Sequence, residues 1–134
     1  METFALHPRL QNDTSFVGDW ALSRVLLMND ARFPWFILVP RRDSLHEIHD
    51  LMPEDSELLI KEITHASQSL KFIAGADKIN IGALGNIVPQ LHVHILARRS
   101  DDVAWPGPVW GCGAPVPYEN SVQDVLIEGL RNNL

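Results

Sequence analysis

The chain has 134 residues, 46% of them apolar and 21% charged, which fits one ordinary globular domain and excludes the disordered and collagen-like classes. Its formal charge is −6 and no Lys/Arg block interrupts the sequence, so a grip on polymeric nucleic acid, which needs clustered cations against phosphates, is not expected. Cys112 is the only cysteine, which excludes an intrachain disulfide and a four-cysteine zinc site; with no secretory pattern and no run of about 18 apolar residues, the chain reads as cytoplasmic and independent of membrane.

Residues 1 to about 14 are polar and carry His7-Pro8 and Asn12-Asp13, which predicts an irregular arm leading to the first strand. Apolar runs from Arg24 to Met28 and from Trp35 to Val39 are separated by the turn-rich Asn29-Asp30-Ala31-Arg32-Phe33-Pro34, and read as neighbouring antiparallel strands. Pro40 ends the second, because it cannot donate to a ladder.

From Pro53 to Ala74 the period changes, with Leu59, Ile63, Ala66, Leu70 and Ile73 at helical spacing. Pro53 with Glu54 and Asp55 suits the start of this long helix, and Gly75 suits its stop. Lys78 to Ala83 and Leu91 to Ala97 are two further strand candidates, joined by Leu84-Gly85-Asn86-Ile87-Val88-Pro89. The Trp-, Pro- and Gly-rich segment from Trp105 to Pro117 is too irregular for either element. Asn120 or Ser121 caps a last amphipathic helix with Val122, Leu126 and Leu130 on one face. The predicted class is α+β over residues 1–134 as one domain, an antiparallel sheet with one long helix packed across it and a short C-terminal helix.

Chemistry concentrates in Gln90-Leu91-His92-Val93-His94-Ile95-Leu96. Residues two apart on a strand share a face, so Gln90, His92 and His94 form one polar row over an apolar underside. Upstream, Asn80, Gly82, Gly85 and Asn86 form a stretch whose backbone N–H groups can approach an anion. The plain alternative is a half-exposed strand that happens to carry two histidines. A catalytic zinc would need a further ligand beside His-x-His; His46 and His49 are the obvious donors, yet their segment reads as a turn before the helix, and no metal is expected. The Trp105–Gly111 stretch reads equally as an aromatic lid over a substrate or as buried tryptophans in a proline-stiffened loop. Arg98 and Arg99 could reach phosphate, although solvated arginines are commoner.

The run Asn80-Ile81-Gly82-Ala83-Leu84-Gly85-Asn86 followed by Gln90-Leu91-His92-Val93-His94-Ile95-Leu96 resembles the histidine triad motif, and the order of elements agrees with that family from about Phe16 to Arg99. The resemblance implies a HIT-like fold and makes His92 the nucleophile, with the proton on its other ring nitrogen held by a backbone carbonyl. It implies that His94 holds phosphate oxygens, that Asn80, Asn86 and the Gly85 loop contact phosphate, and that Asn29 meets the ribose. Gln90 stands where the family's first histidine is expected; its amide can still donate to phosphate, and the related nucleotidylyltransferase branch also mixes Gln with His. Trp35 stands where many members have a further histidine, and Ile87 where many have a hydroxyl or amide, so leaving-group protonation has no evident owner.

The implied activity is cofactor-free, metal-independent hydrolysis of a nucleoside phosphoramidate, mononucleotide ester or dinucleoside polyphosphate at the α-phosphate, through a nucleotidyl-histidine. Nucleotidyl transfer, or nucleotide binding without catalysis, is the alternative. The partner is then a small nucleotide, and the resemblance also implies a homodimer.

Overall fold

A computed structural model describes residues 4–131. In chain order the elements are α1 (Pro8–Asp13), β1 (Thr14–Asp19), β2 (Ser23–Met28), β3 (Trp35–Pro40), α2 (Pro53–Ala74), β4 (Lys78–Gly82), β5 (Val93–Arg98) and α3 (Asn120–Arg131), with a single 3-10 turn at Ile48–Asp50 before α2. The five strands form one sheet in the order β1-β2-β3-β5-β4. Every pairing is antiparallel. The α+β class expected from the sequence is the architecture found.

Both faces of the sheet are covered, and that is why β3 and β5 are buried along their whole length. One face carries Val25, Leu27, Phe36, Leu38, Ile95 and Ala97, packed against Ala66 and Leu70 of α2 and against Ile127 and Leu130 of α3. The alternate residues Leu26, Trp35, Ile37, Val39 and Leu96 point the other way, where Leu10 of α1, Val88 and Val109 close over them. Strand alternation thus sorts one continuous sequence into two cores. Burial of this kind is worth roughly 25 cal/mol per Å² of apolar surface.

α2 follows its sequence signals. Pro53 occupies the first turn with Glu54 and Asp55, and Gly75 closes the helix in the left-handed region at φ 62°, its N–H bonded to Lys71 O. On its buried face Glu62 is 6% exposed, and its two carboxylate oxygens accept from Leu22 N and Ser23 N at 2.9 and 3.0 Å. That pair of bonds ties the helix to the turn between β1 and β2.

Three details differ from the sequence expectation. The arm contains the short helix α1, too brief and polar to show a period, with Leu10 as its buried residue. β5 begins at Val93, so Gln90 and His92 precede the strand. In α3 the buried residues are Ile127 and Leu130, with Leu126 packed beside them, whereas Val122 is exposed. Among the described residues no helix is long and apolar enough to cross a membrane.

Candidate active site

Strand pairing places the two histidines. His94 lies opposite Ile37 of β3 and Gly82 of β4, so it shares the sheet face of Trp35 and Leu96. His92 stands one step before the strand, with its ring 4.8 Å from that of His94 in a T-shaped contact. Both are largely buried, at 7% and 6% exposure, yet both line a cavity of about 380 Å³. A second cavity, of about 320 Å³, has His46, His49 and Ala83 in its wall. Leu84, Gly85 and His92 belong to both walls, so the His92 ring stands at the junction of two spaces.

His92 Nδ1 is 2.7 Å from the carbonyl oxygen of Gln90. A carbonyl can only accept, so that nitrogen carries the proton, and Nε2 keeps a free lone pair. Burial lowers the pKa of His92 below its ordinary value, against the opposing pull of the Gln90 carbonyl. His94 is pushed down to about 3, first by burial and then by the neighbouring His92. Its Nδ1 receives the indole N–H of Trp35 at 3.0 Å, and Trp110 packs edge-on against it at 5.4 Å. Trp110 fits there because Gly82 has no side chain: a Cβ at that position would come within 2.9 Å of the Trp110 ring.

Gln90 lines the smaller cavity beside His92, and its side-chain amide is engaged by the N-terminal arm. Its Nε2 donates to Ala5 O and its Oε1 accepts from His7 N, both at 2.9 Å. The amide therefore completes the backbone of the N-terminal arm as a neighbouring strand would, while the Gln90 main chain holds His92. Asn80, expected near phosphate, has its side-chain oxygen on the Arg98 guanidinium at 2.8 Å, and it lines neither of the two cavities. Asn29, expected at the ribose, accepts from Tyr118 N at 2.8 Å and so anchors the C-terminal connection. Gly85 and Asn86 do line the larger cavity, as does Ile87. Gly85 has φ 72°, a conformation that favours glycine.

Arg98 is fully buried and paired with Asp102 at 2.7 Å, and Arg99 pairs with Asp101 at 3.2 Å, so both cations are engaged away from the cavities. The Trp105–Gly111 stretch divides: Trp105 stacks over the Arg98 guanidinium, whereas Trp110 is a wall of the site. Asp30 was not singled out by sequence reasoning, because it sits in a turn where carboxylates are common. It is 2% exposed, lines the larger cavity and holds Arg32 through both oxygens. Its Oδ1 also receives Val116 N, and Arg32 in turn donates to the Cys112 carbonyl. Among the described residues no three His, Cys, Asp or Glu side chains are placed to hold one metal ion.

The sequence model of the HIT domain matches residues 9–101. The fold superposes on a histidine triad protein from Bradyrhizobium japonicum with a TM-score of 0.96, at 48% identity over 97% of each chain. A histidine triad (HIT) protein from Sinorhizobium meliloti 1021 matches with a TM-score of 0.96 at 46% identity over 98% of each chain. One from Marinobacter aquaeolei VT8 matches with 0.95 at 46% identity, over 98% of this chain and 96% of that one. Among curated proteins no match reaches significance.

Proposed function

The chain belongs to the HIT domain family, and from that premise we propose that it is a metal-independent hydrolase of nucleoside phosphate derivatives in which His92 is the nucleophile. The observation that carries this reading is the bond from His92 Nδ1 to the Gln90 carbonyl, which leaves the Nε2 lone pair at the junction of the two cavities. A neutral imidazole approaches an anionic phosphoryl group without charge repulsion. The lowered pKa keeps it neutral at pH 7.

The larger cavity, with its apolar and aromatic wall and the Asp30 carboxylate, takes the nucleoside, and the smaller one takes the leaving group. His92 Nε2 bonds to the α-phosphorus as the bond to the leaving group breaks with its electron pair. Water then attacks phosphorus and releases a proton to solvent as the P–N bond breaks with its electron pair returning to Nε2, which restores the neutral imidazole. His94, Asn86 and the backbone around Gly85 serve the phosphate oxygens; one well-aimed donor of this kind is worth ~3 to 4 kcal/mol of barrier. Gln90 acts through the arm and through its own carbonyl. Asn29 acts by anchoring the chain that flanks Asp30.

The test is turnover of adenosine 5′-phosphoramidate and a dinucleoside tetraphosphate, with rapid quenching and mass spectrometry. His92→Ala should fall below about one-thousandth of wild-type kcat, and an AMP adduct should map to residue 92 in the wild type. Full activity of His92→Ala would overturn the assignment. An adduct discharged only to an acceptor other than water would mean transfer, and binding with no adduct would mean a binding protein. The same reading has the chain act as one domain, in the cytoplasm, and as a homodimer. β4 is an edge of the sheet, and Ile81 on it and Phe72 on α2 are 52% and 82% exposed; sedimentation of the intact chain tests the dimer.

A further inference from the structure

We propose that Trp35 is a positioning residue that fixes the tautomer of His94, so that His94 faces the substrate as a neutral Nε2–H donor. An indole nitrogen has a hydrogen and no lone pair to accept with. With Trp35 Nε1 at 3.0 Å from His94 Nδ1, that ring nitrogen must present a lone pair. The ring proton therefore resides on Nε2, and an imidazolium would set two N–H groups against each other.

The sheet builds this contact. Trp35 is paired with Leu96 and Ile37 with His94, so Trp35 is the diagonal neighbour of His94 on the same face, within the reach of a long aromatic side chain. Trp35 is 8% exposed, and its indole N–H would lose its hydrogen bond if it turned away. Trp110 stands perpendicular to it at 6.4 Å and flanks His94 as well, which limits the motion of both rings. Among the described residues Trp35 is the hydrogen-bond partner of the His94 ring, and no carboxylate or carbonyl competes for its Nδ1. The burial that holds His94 at a pKa of about 3 acts in the same direction.

Two imidazoles two residues apart thus hold opposite tautomers. The Gln90 carbonyl puts the proton of His92 on Nδ1 and frees Nε2 to attack, while the Trp35 indole puts the proton of His94 on Nε2 to donate. One consequence is that His94 does not act as leaving-group acid, since giving up its Nε2 proton would leave an imidazolate.

The catalytic consequence rests on the hydrolase reading, but the tautomer does not. With ¹⁵N-histidine-labelled full-length protein and no ligand at pH about 7.5, a two-bond ¹H–¹⁵N correlation spectrum should show His94, identified by its loss in His94→Gln, with protonated Nε2 and bare Nδ1. In Trp35→Phe the ring nitrogens of His94 should shift toward a mixture of the two forms. A wild-type His94 protonated on Nδ1 or on both nitrogens overturns the proposal, as does a Trp35→Phe spectrum unchanged at His94. If Trp35→Phe does not fold, the wild-type spectrum decides alone. On adenosine 5′-phosphoramidate, Trp35→Phe should lower kcat by about tenfold, less than outright loss of a donor, with KM within about threefold and the His92 adduct still formed. Wild-type kcat in that variant, with the tautomer altered, would overturn the catalytic role. A wild-type protein that turns over nothing would instead sink the hydrolase reading and leave the tautomer result standing.

Discussion

Glu62 shows how a single buried charge is made tolerable: each of its oxygens receives a backbone N–H from the β1–β2 turn. Removing it strands two buried donors, so Glu62→Ala should destabilise the chain by about 3 kcal/mol. Glu62→Gln, which keeps one accepting oxygen, should cost less, and urea midpoints of the two variants check the order. At this scale the sequence said most about His92 and His94, because alternation with Leu91, Val93 and Ile95 puts both on one face. It said least about Gln90, Asn80 and Asn29. An amide is equally able to bind a ligand or a main chain, and which it meets depends on segments far away in sequence, here Ala5, Arg98 and Tyr118.

Among the elements, α2 was legible end to end because helical period, proline start and glycine stop all agree. β2 and β3 were legible as apolar runs, but the one face of each that serves the site could not be told from the other, since both faces are buried. α1 was hidden by its length, and with it the fact that the arm is part of the site: Arg9, Leu10 and Asp13 line the larger cavity. The Gln90 amide fastens this arm through two hydrogen bonds. Gln90→Ala and deletion of residues 1–7 remove the same contact. Their losses in stability, each about 1–3 kcal/mol, should therefore overlap in the double variant, and a double-mutant cycle in urea measures that overlap. Strict additivity would show that the clasp does not hold.

For the molecule as a whole, acid should act in two stages. His92 and His94 are neutral when folded, with pKa values below the ordinary 6.5 and His94 at about 3, so between those values the unfolded chain binds more protons. Stability is therefore full above about 6.5 and is lost as pH falls from there. Asp102, held at about 2 by the Arg98 guanidinium, adds a second loss only below the ordinary carboxylate range. Urea midpoints from pH 7 to pH 4 should fall steadily, and His94→Asn should flatten that first stage while leaving the second. The clasp on the arm has a practical corollary as well. An affinity tag fused at the amino end is joined a few residues from Ala5 and His7, and any pull it exerts passes through one amide to the residue whose carbonyl holds the His92 ring proton. Fusions at that end should be cleaved before rates are compared.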